Sequence, residues 1–202
     1  MNIVGIVGSM RKNRLTDTLV RRVVAGIEER CGPAVSQIVY TGDLDIRACR
    51  VACCSYCTKH PYRCSIADDL SGVLQRMNEA DAIIVGTPLY FRAPPAGFQA
   101  FAERLISMFF FQESRGSERP VSPLHGKPCG LIGVAQYSNP QMILEYLHDF
   151  CTVLSMHPVP LERFPYLGVG AHGDFEEDTI FHPLQRADQL AETIGARLQI
   201  SS

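Results

Sequence analysis

The sequence predicts an α/β protein built on a parallel sheet of five strands in the order 2-1-3-4-5, with helices on both faces. Two patterns predict this fold: apolar runs bounded by Gly or Pro recur along the chain, and amphipathic helical patterns lie between them. The length of 202 residues suits the short form of such a doubly wound sheet. With 46% hydrophobic and 20% charged residues, the chain can bury one core, so we expect a single domain over residues 1–202.

The strands follow from the apolar runs. Residues 3–7, 82–86 and 130–135 are nearly continuous apolar stretches, as in strands that are buried on both faces. Two weaker runs predict further strands over residues 35–40 and 158–161. Each run precedes a helical pattern, which gives five strand-helix units and parallel pairing.

The helices follow from apolar residues at intervals of three and four. Leu19, Val23 and Ile27 mark the first helix, and similar patterns occupy residues 70–77 and 98–105. Two later helices are expected over about 140–156 and 183–199. Asp68 and Asp69 precede the second helix, where we expect them to favour the helix dipole rather than act as an acid-base pair.

Charge and hydropathy exclude several classes of partner. The 19 Lys+Arg and 21 Asp+Glu residues give a formal net charge of -2, so no basic surface for nucleic acid or anionic lipid is expected. No apolar stretch approaches the roughly 20 residues that span a bilayer, and the first residues lack the basic region of a signal peptide. We therefore expect a soluble, cytoplasmic protein without membrane or nucleic-acid partners.

The ligand of such a sheet lies beyond the carboxyl ends of its strands, where the strand order reverses. The first loop, residues 8–13, follows the first strand at that point. With the helix start after it, this loop offers the hydroxyls of Ser9 and Thr16, the amide of Asn13, the cation of Arg11 and backbone N–H groups. This set suits a phosphate dianion. A Ser- and Thr-capped helix start with solvated basic residues is the alternative.

The second loop, residues 86–98, follows the third strand. Its pattern Gly-Thr-Pro-x-Tyr-Phe at 86–91 and the pattern Gly-Ser-x-Arg-x-x-x-x-Thr-x-x-Leu at 8–19 together resemble the NAD(P)H-dependent FMN reductase and iron-sulfur flavoprotein families. Phe101, Glu103 and Arg104 in the following helix extend the resemblance. It implies a flavodoxin-like three-layer sandwich that binds FMN.

The resemblance also implies which residues contact the flavin. The phosphate would be held by Ser9, Arg11, Asn13 and Thr16. The third loop, residues 135–139, takes the family's position near the pyrimidine edge through Gln136, although its residues match no pattern. The ribityl chain and the isoalloxazine would be bordered by Thr87, Pro88, Leu89, Tyr90 and Phe91. Tyr90 and Phe91 could instead be core aromatics.

Five of the eight cysteines lie in the cysteine-rich segment, residues 49–64. Without an export signal they do not indicate a disulfide framework. Cys54 and Cys57 form a C-x-x-C pair, and Cys64 with either Cys49 or Cys53 would complete a four-cysteine set for a [4Fe-4S] cluster or zinc.

The segment resembles the cysteine motif of iron-sulfur flavoproteins, with Val51 where the first cysteine is expected. Cys49 is therefore the preferred fourth ligand, with Cys53 as the alternative. Metal-free thiols remain an open interpretation. Zinc is disfavoured because closed zinc sites usually pair two short spacings, and this segment has one.

The chain is predicted to be an FMN-dependent oxidoreductase that passes electrons from NAD(P)H to a small acceptor such as a quinone or flavin. Ring-to-ring hydride transfer needs positioning rather than a catalytic triad, and the sequence has no such triad. The alternative is an electron carrier between FMN, a [4Fe-4S] cluster and a ferredoxin-like protein. A cofactor-free interaction module is a third. The apolar residues from Ile106 to Phe111 predict a homodimer or homotetramer.

Overall fold

The structure is a computed structural model, which describes residues 1–50, 54–60, 62–108, 122–173 and 181–201. Its strands and helices alternate as the sequence predicts, except for an additional short helix at Cys54–Lys59 and an additional strand at Val169–His172. Short 3-10 turns at Thr41–Asp43 and Leu105–Met108 follow the second strand and the fourth helix. The strands are β1 (Asn2–Val7), β2 (Val35–Tyr40), β3 (Ala82–Pro88), β4 (Pro128–Ala135), β5 (His157–Pro158) and β6 (Val169–His172). The helices are α1 (Leu15–Cys31), α2 (Cys54–Lys59), α3 (Leu70–Glu79), α4 (Ala96–Arg104), α5 (Gln141–Val153) and α6 (Pro183–Ser201).

The sheet is parallel throughout the described residues and has the order β2-β1-β3-β4-β5, which confirms the predicted order. In the register, Val7 is paired with Tyr40 on one side and with Gly86 on the other. The carboxyl ends of β1, β2 and β3 therefore meet at one edge. A ligand at this edge can contact the loops that follow these strands.

The fifth strand differs from its predicted form. Instead of one run over residues 158–161, β5 pairs with Pro128 and Cys129, and a sixth strand, β6, pairs with β4 from Ile132 onward. The chain between them leaves the sheet. Pro160 and Pro165 lie in this stretch, and proline has no N–H to donate to a strand ladder. The strand is consequently interrupted, and β6 brings His172 beside Ala135.

Two apolar clusters cover the two faces of the sheet. On one face, α3, α4 and α5 contribute Val73, Phe101 and Leu147, and on the other, α1 and α6 contribute Leu19 and Leu190. The helical periodicity predicted Leu19 and Phe101 on buried stripes because residues three and four apart share a face. Among the described helices, none has both the length and the apolar character to cross a bilayer.

Candidate functional site

The first loop is a compact turn at the carboxyl end of β1. The N–H of Gly8 donates to the carbonyl of Gly86 at 2.7 Å, which joins the loop to β3. Ser9 is 5% exposed, and its hydroxyl accepts the N–H of Arg11 at 3.1 Å. Asn13 adopts the left-handed conformation with φ of 55°, which asparagine tolerates better than most residues. The loop therefore turns sharply before α1 begins.

The start of α1 lacks a side-chain cap. Its N-cap is Arg14, which makes no capping hydrogen bond, so the first N–H groups of the helix lack the usual side-chain partner. Arg11 is exposed, and its guanidinium lies 3.4 Å from the hydroxyl of Tyr90 in the second loop. Thr16 is buried at 3% exposure. An uncapped helix end, with its positive dipole and an arginine alongside, is chemically suited to a phosphate group.

Thr87 supports the first loop from below. Its side chain is fully buried. A Cβ on Gly8 would lie 2.7 Å from both the Thr87 Oγ1 and the Phe98 ring. Only glycine therefore allows the first loop to pass this close to β3 and α4. The structure places the Thr87 side chain beneath the loops rather than at their surface.

The second loop presents an aromatic ring to solvent. The backbones of Tyr90 and Ala93 exchange hydrogen bonds of 2.8 and 3.0 Å, which close a two-residue turn. Phe91 and Arg92 occupy the turn with φ of 48° and 65°, a conformation that costs about 1–2 kcal/mol for an L-residue. Phe91 is fully exposed and Tyr90 is 38% exposed, so the core-aromatic alternative is wrong. Backbone strain of this kind is concentrated at functional sites.

The remaining predicted flavin contacts lie in the second and third loops. Pro88 ends β3, and the N–H of Leu89 donates to the carbonyl of Val134 at 2.8 Å. The Leu89 side chain packs against Ala135 at the end of β4. Gln136 follows directly and is exposed. The three loops therefore converge at the carboxyl ends of β1, β3 and β4.

Arg104 joins the two ends of the cysteine-rich segment. Its side chain is fully buried and pairs with the equally buried Asp68 at 2.7 Å. Within the described part of the chain, the guanidinium donates five hydrogen bonds, which is its full donor capacity. The acceptors are the carboxylate of Asp68, twice, the carbonyls of Arg47 and Ile66, and the sulfur of Cys64 at 3.3 Å.

Asp68 has a further role beyond the one expected at the helix start. Its carboxylate accepts the N–H of Leu70 at 3.2 Å, as a residue at a helix start does, but its main partner is Arg104. Burial alone would raise the pKa of Asp68. The hydrogen bonds from Arg104, together with those from the N–H groups of Arg47 and Leu70 and the charge of Arg104, outweigh burial and hold this pKa below its ordinary value. Tertiary pairing thus adds to the hydrogen bond at the helix start in stabilising the ionised carboxylate.

The proposed metal ligands are only partly described. Cys57 is buried, whereas Cys49 and Cys64 are partly buried. Cys53 and the side chain of Cys54 lie outside the described residues. Within the described ranges, no three side chains of the types that ligate metals come together. The four-cysteine set is thus not assembled by the residues whose positions are described.

A wide groove lies at the opposite end of the sheet. It has a volume of about 880 Å³, and its lining includes Met1, Asp81, Lys127 and His157. The amino ends of β1 and β4 border it, whereas open α/β sheets bind ligands at the carboxyl ends. The position of this groove makes it a poor candidate for the flavin site.

Sequence analysis missed two residues beneath the first loop. Asp17 is fully buried in the first turn of α1, and Tyr40 ends β2. The Tyr40 hydroxyl donates to the Asp17 carboxylate at 3.0 Å. Two signals in the sequence could have identified them. Asp17 lies in the first turn of a predicted helix, and Tyr40 ends the strand that is predicted to pair with the first strand.

A model of the family described as NADPH-dependent FMN reductase matches residues 1–165. The chain belongs to this family. Membership shows that it is an oxidoreductase of the flavin type, and the family's description implies FMN and NADPH. The match includes all three loops at the carboxyl edge and the whole cysteine-rich segment.

Individual relatives agree with this assignment. An iron-sulfur flavoprotein of Methanocaldococcus jannaschii is 29% identical over 205 residues, which cover 96% of each chain. The crystal structure of RosB, with a bound riboflavin-phosphate intermediate, has a TM-score of 0.73 at 15% identity. The match covers 99% of this chain and 79% of the RosB chain. A flavodoxin from the domain Archaea has a TM-score of 0.57 at 16% identity, and the match covers 98% of this chain and 99% of the flavodoxin chain. These neighbours confirm the flavodoxin-like fold.

Proposed function

We propose that this FMN reductase family member is an FMN-dependent oxidoreductase that takes electrons from NAD(P)H and passes them to a small acceptor such as a quinone or a flavin. The arrangement that carries the proposal is the uncapped, arginine-flanked start of α1 facing the exposed aromatic turn of the second loop. A phosphate-binding end and a ring-binding end are the two requirements of a flavin mononucleotide site.

The phosphate end is assigned to the first loop. Ser9, Arg11, Asn13 and Thr16, with the first N–H groups of α1, would hold the phosphate. Arg11 contributes the exposed positive charge, and the hydrogen bond between the Ser9 hydroxyl and the Arg11 N–H keeps the loop compact. Thr16 is largely buried, so its backbone N–H at the helix start is the group best placed to serve the phosphate.

The ring end is assigned to the second and third loops. Pro88, Leu89, Tyr90 and Phe91 would border the ribityl chain and isoalloxazine, Gln136 the pyrimidine edge, and Thr87 supports them from beneath. FMN, when bound, supplies hydride acceptance from a nicotinamide and electron transfer to the second substrate. The protein's own part is to position the two rings against each other and exclude water between them.

A flavin-binding experiment with a reduction assay tests the proposal. We expect FMN to bind and its oxidised absorption band to bleach under anaerobic NADPH or NADH. Arg11→Gln should weaken FMN about tenfold without changing riboflavin affinity, because a charge-assisted hydrogen bond to phosphate is lost. Arg76→Gln, on the exposed face of α3, is the matched control. A protein that binds no FMN, or whose flavin neither donor reduces, would refute the proposal.

A second candidate function is an electron carrier that relays single electrons between FMN, a [4Fe-4S] cluster and a ferredoxin-like partner. The 29% identity to an iron-sulfur flavoprotein and the hydrogen bond from Arg104 to Cys64 favour it. The proposed ligands are Cys49, Cys54, Cys57 and Cys64. Iron and acid-labile sulfide in anaerobically purified protein, lost in Cys64→Ser but kept in Cys31→Ser, would support it. Iron-free protein would exclude it.

The oligomeric state stays a prediction. Ile106 is 40% exposed and Met108 is buried, while residues 109–111 lie outside the described ranges. We propose a homodimer or homotetramer, which light scattering during gel filtration would test. A monomer at micromolar concentration would contradict the proposal.

A further inference from the structure

Asp17 is a buried carboxylate that none of the roles assigned above requires. It is fully buried in the first turn of α1, immediately beneath the first loop. From described residues it accepts three hydrogen bonds: from the Asn13 N–H at 2.7 Å, the Arg21 Nε at 2.8 Å and the Tyr40 hydroxyl at 3.0 Å. A buried charge with this many partners organises the surrounding structure.

The two oxygens of Asp17 have different partners. Oδ2 accepts the Asn13 N–H, at the end of the first loop. Oδ1 accepts hydrogen bonds from Arg21, one turn further along α1, and from the hydroxyl of Tyr40, at the end of β2. Arg21 also donates to the Tyr40 hydroxyl. One oxygen therefore holds the loop, while the other is fixed by two rigid elements of the fold.

The charge of Asp17 is balanced before any ligand binds. A lone carboxylate beside a phosphate dianion would repel it, but Arg21 forms an ion pair with Asp17 from the next helical turn. Arg11 takes no part in this network, because its described side-chain partner is Tyr90. The first loop thus keeps the cation of Arg11 for a ligand, while Arg21 neutralises the charge of Asp17.

We propose that Asp17 is a positioning residue for the phosphate of FMN, an inference that rests on the function proposed above. By accepting the Asn13 N–H, Asp17 fixes Asn13 in its left-handed conformation and holds the first loop in its binding shape. A loop that is ordered in advance does not lose conformational freedom when the ligand binds. The effect is specific to ligands that carry the phosphate.

The test compares FMN with riboflavin, which lacks the phosphate, by fluorescence titration of apoprotein. Asp17→Ala should weaken FMN binding about tenfold, the effect of losing about one strong hydrogen bond, and leave riboflavin affinity unchanged. Asp17→Asn keeps an acceptor oxygen for the Asn13 N–H, so its FMN affinity should fall only about threefold. This partial rescue separates loop positioning from charge alone.

The control is Asp188→Asn. It removes the ion-pair partner of Arg22, which lies on α1 as Asp17 does; the pair is exposed, with 2.7 Å between nitrogen and oxygen. This variant should change neither the FMN affinity nor the riboflavin affinity. If Asp17→Ala does not fold, Tyr40→Phe replaces it, with FMN weakened about twofold. An unchanged or tighter FMN affinity in these variants would overturn the inference. Wild-type protein that binds FMN no more tightly than riboflavin would instead overturn the proposed phosphate site, and the inference with it.

Discussion

The first loop and the cysteine-rich segment follow neighbouring strands, and each is held by a buried charged side chain of opposite sign. Asp17 accepts hydrogen bonds and fixes one end of the first loop through a single N–H. Arg104 donates hydrogen bonds and contacts both flanks of the cysteine-rich segment, from the Arg47 carbonyl before it to the Asp68 carboxylate after it.

Asp17 and Arg104, the two buried anchors, leave different groups of their segments available to a ligand. Asp17 uses one N–H of its loop, so the cation of Arg11 and the first N–H groups of α1 can meet an anion. The guanidinium of Arg104 directs its donors inward, to carbonyls, a carboxylate and the Cys64 sulfur. Its segment is therefore fixed at both flanks. We therefore expect the two anchors to differ in how much they stabilise the fold.

The largest expected effect is that of Arg104→Met. Removal of the guanidinium leaves the Asp68 charge buried without its counter-ion, which typically costs about 3–5 kcal/mol. Urea unfolding followed by circular dichroism measures this loss in the free energy of unfolding. The exposed neighbour Glu103→Gln should change it by less than about 0.5 kcal/mol. A loss below about 1 kcal/mol for Arg104→Met would show that Arg104 is not a structural anchor.

The second effect is a pH dependence that Asp68 produces. Because its folded pKa lies below the ordinary value of 3.8, its ionised form stabilises the fold above that pH, and this contribution is lost as the pH falls through the folded pKa. The gap in free energy of unfolding between wild type and Asp68→Asn should therefore be largest near pH 7 and shrink below about pH 4. Urea titrations at several pH values measure it, and a constant gap would contradict the assignment.

A smaller effect is expected on the first-loop side. Tyr40→Phe removes one of the hydrogen bonds to Asp17, so the free energy of unfolding should fall by about 0.5–1.5 kcal/mol. Tyr166→Phe, at a hydroxyl-bearing side chain that is 57% exposed, is the matched control and should have little effect. A Tyr40→Phe loss as large as that of Arg104→Met would remove the contrast between the two anchors.

The smallest effect belongs to the exposed pair of Arg22 and Asp188, whose side chains are 44% and 47% exposed. Asp188→Asn should cost at most about 1 kcal/mol at low salt, since exposed pairs are weak. High salt should remove the difference, because it screens surface charges. Thermal unfolding at two salt concentrations measures this difference. A loss of stability that persists in high salt would show that the pair stabilises the fold despite its exposure.

The sequence by itself determined the features that depend on local patterns. The strands β1 to β4, the long helices and the polar groups that the first loop offers follow from residues that are close together in the chain. The strand order follows from the short form of a doubly wound sheet, which suits this length. The resemblance carried by residues 8–19 and 86–91 indicates the family without the tertiary structure. Periodicity and loop chemistry suffice here because buried stripes and helix starts are local properties.

The tertiary structure decided which distant side chains meet. Arg104 and Asp68 are 36 residues apart, and Tyr40 and Asp17 are 23 apart, so no local pattern could pair them. The exposure of Phe91 also depends on the turn that closes across the sheet edge. Burial selects these partners, because a charge removed from water needs a counter-ion or hydrogen bonds wherever in the chain they lie.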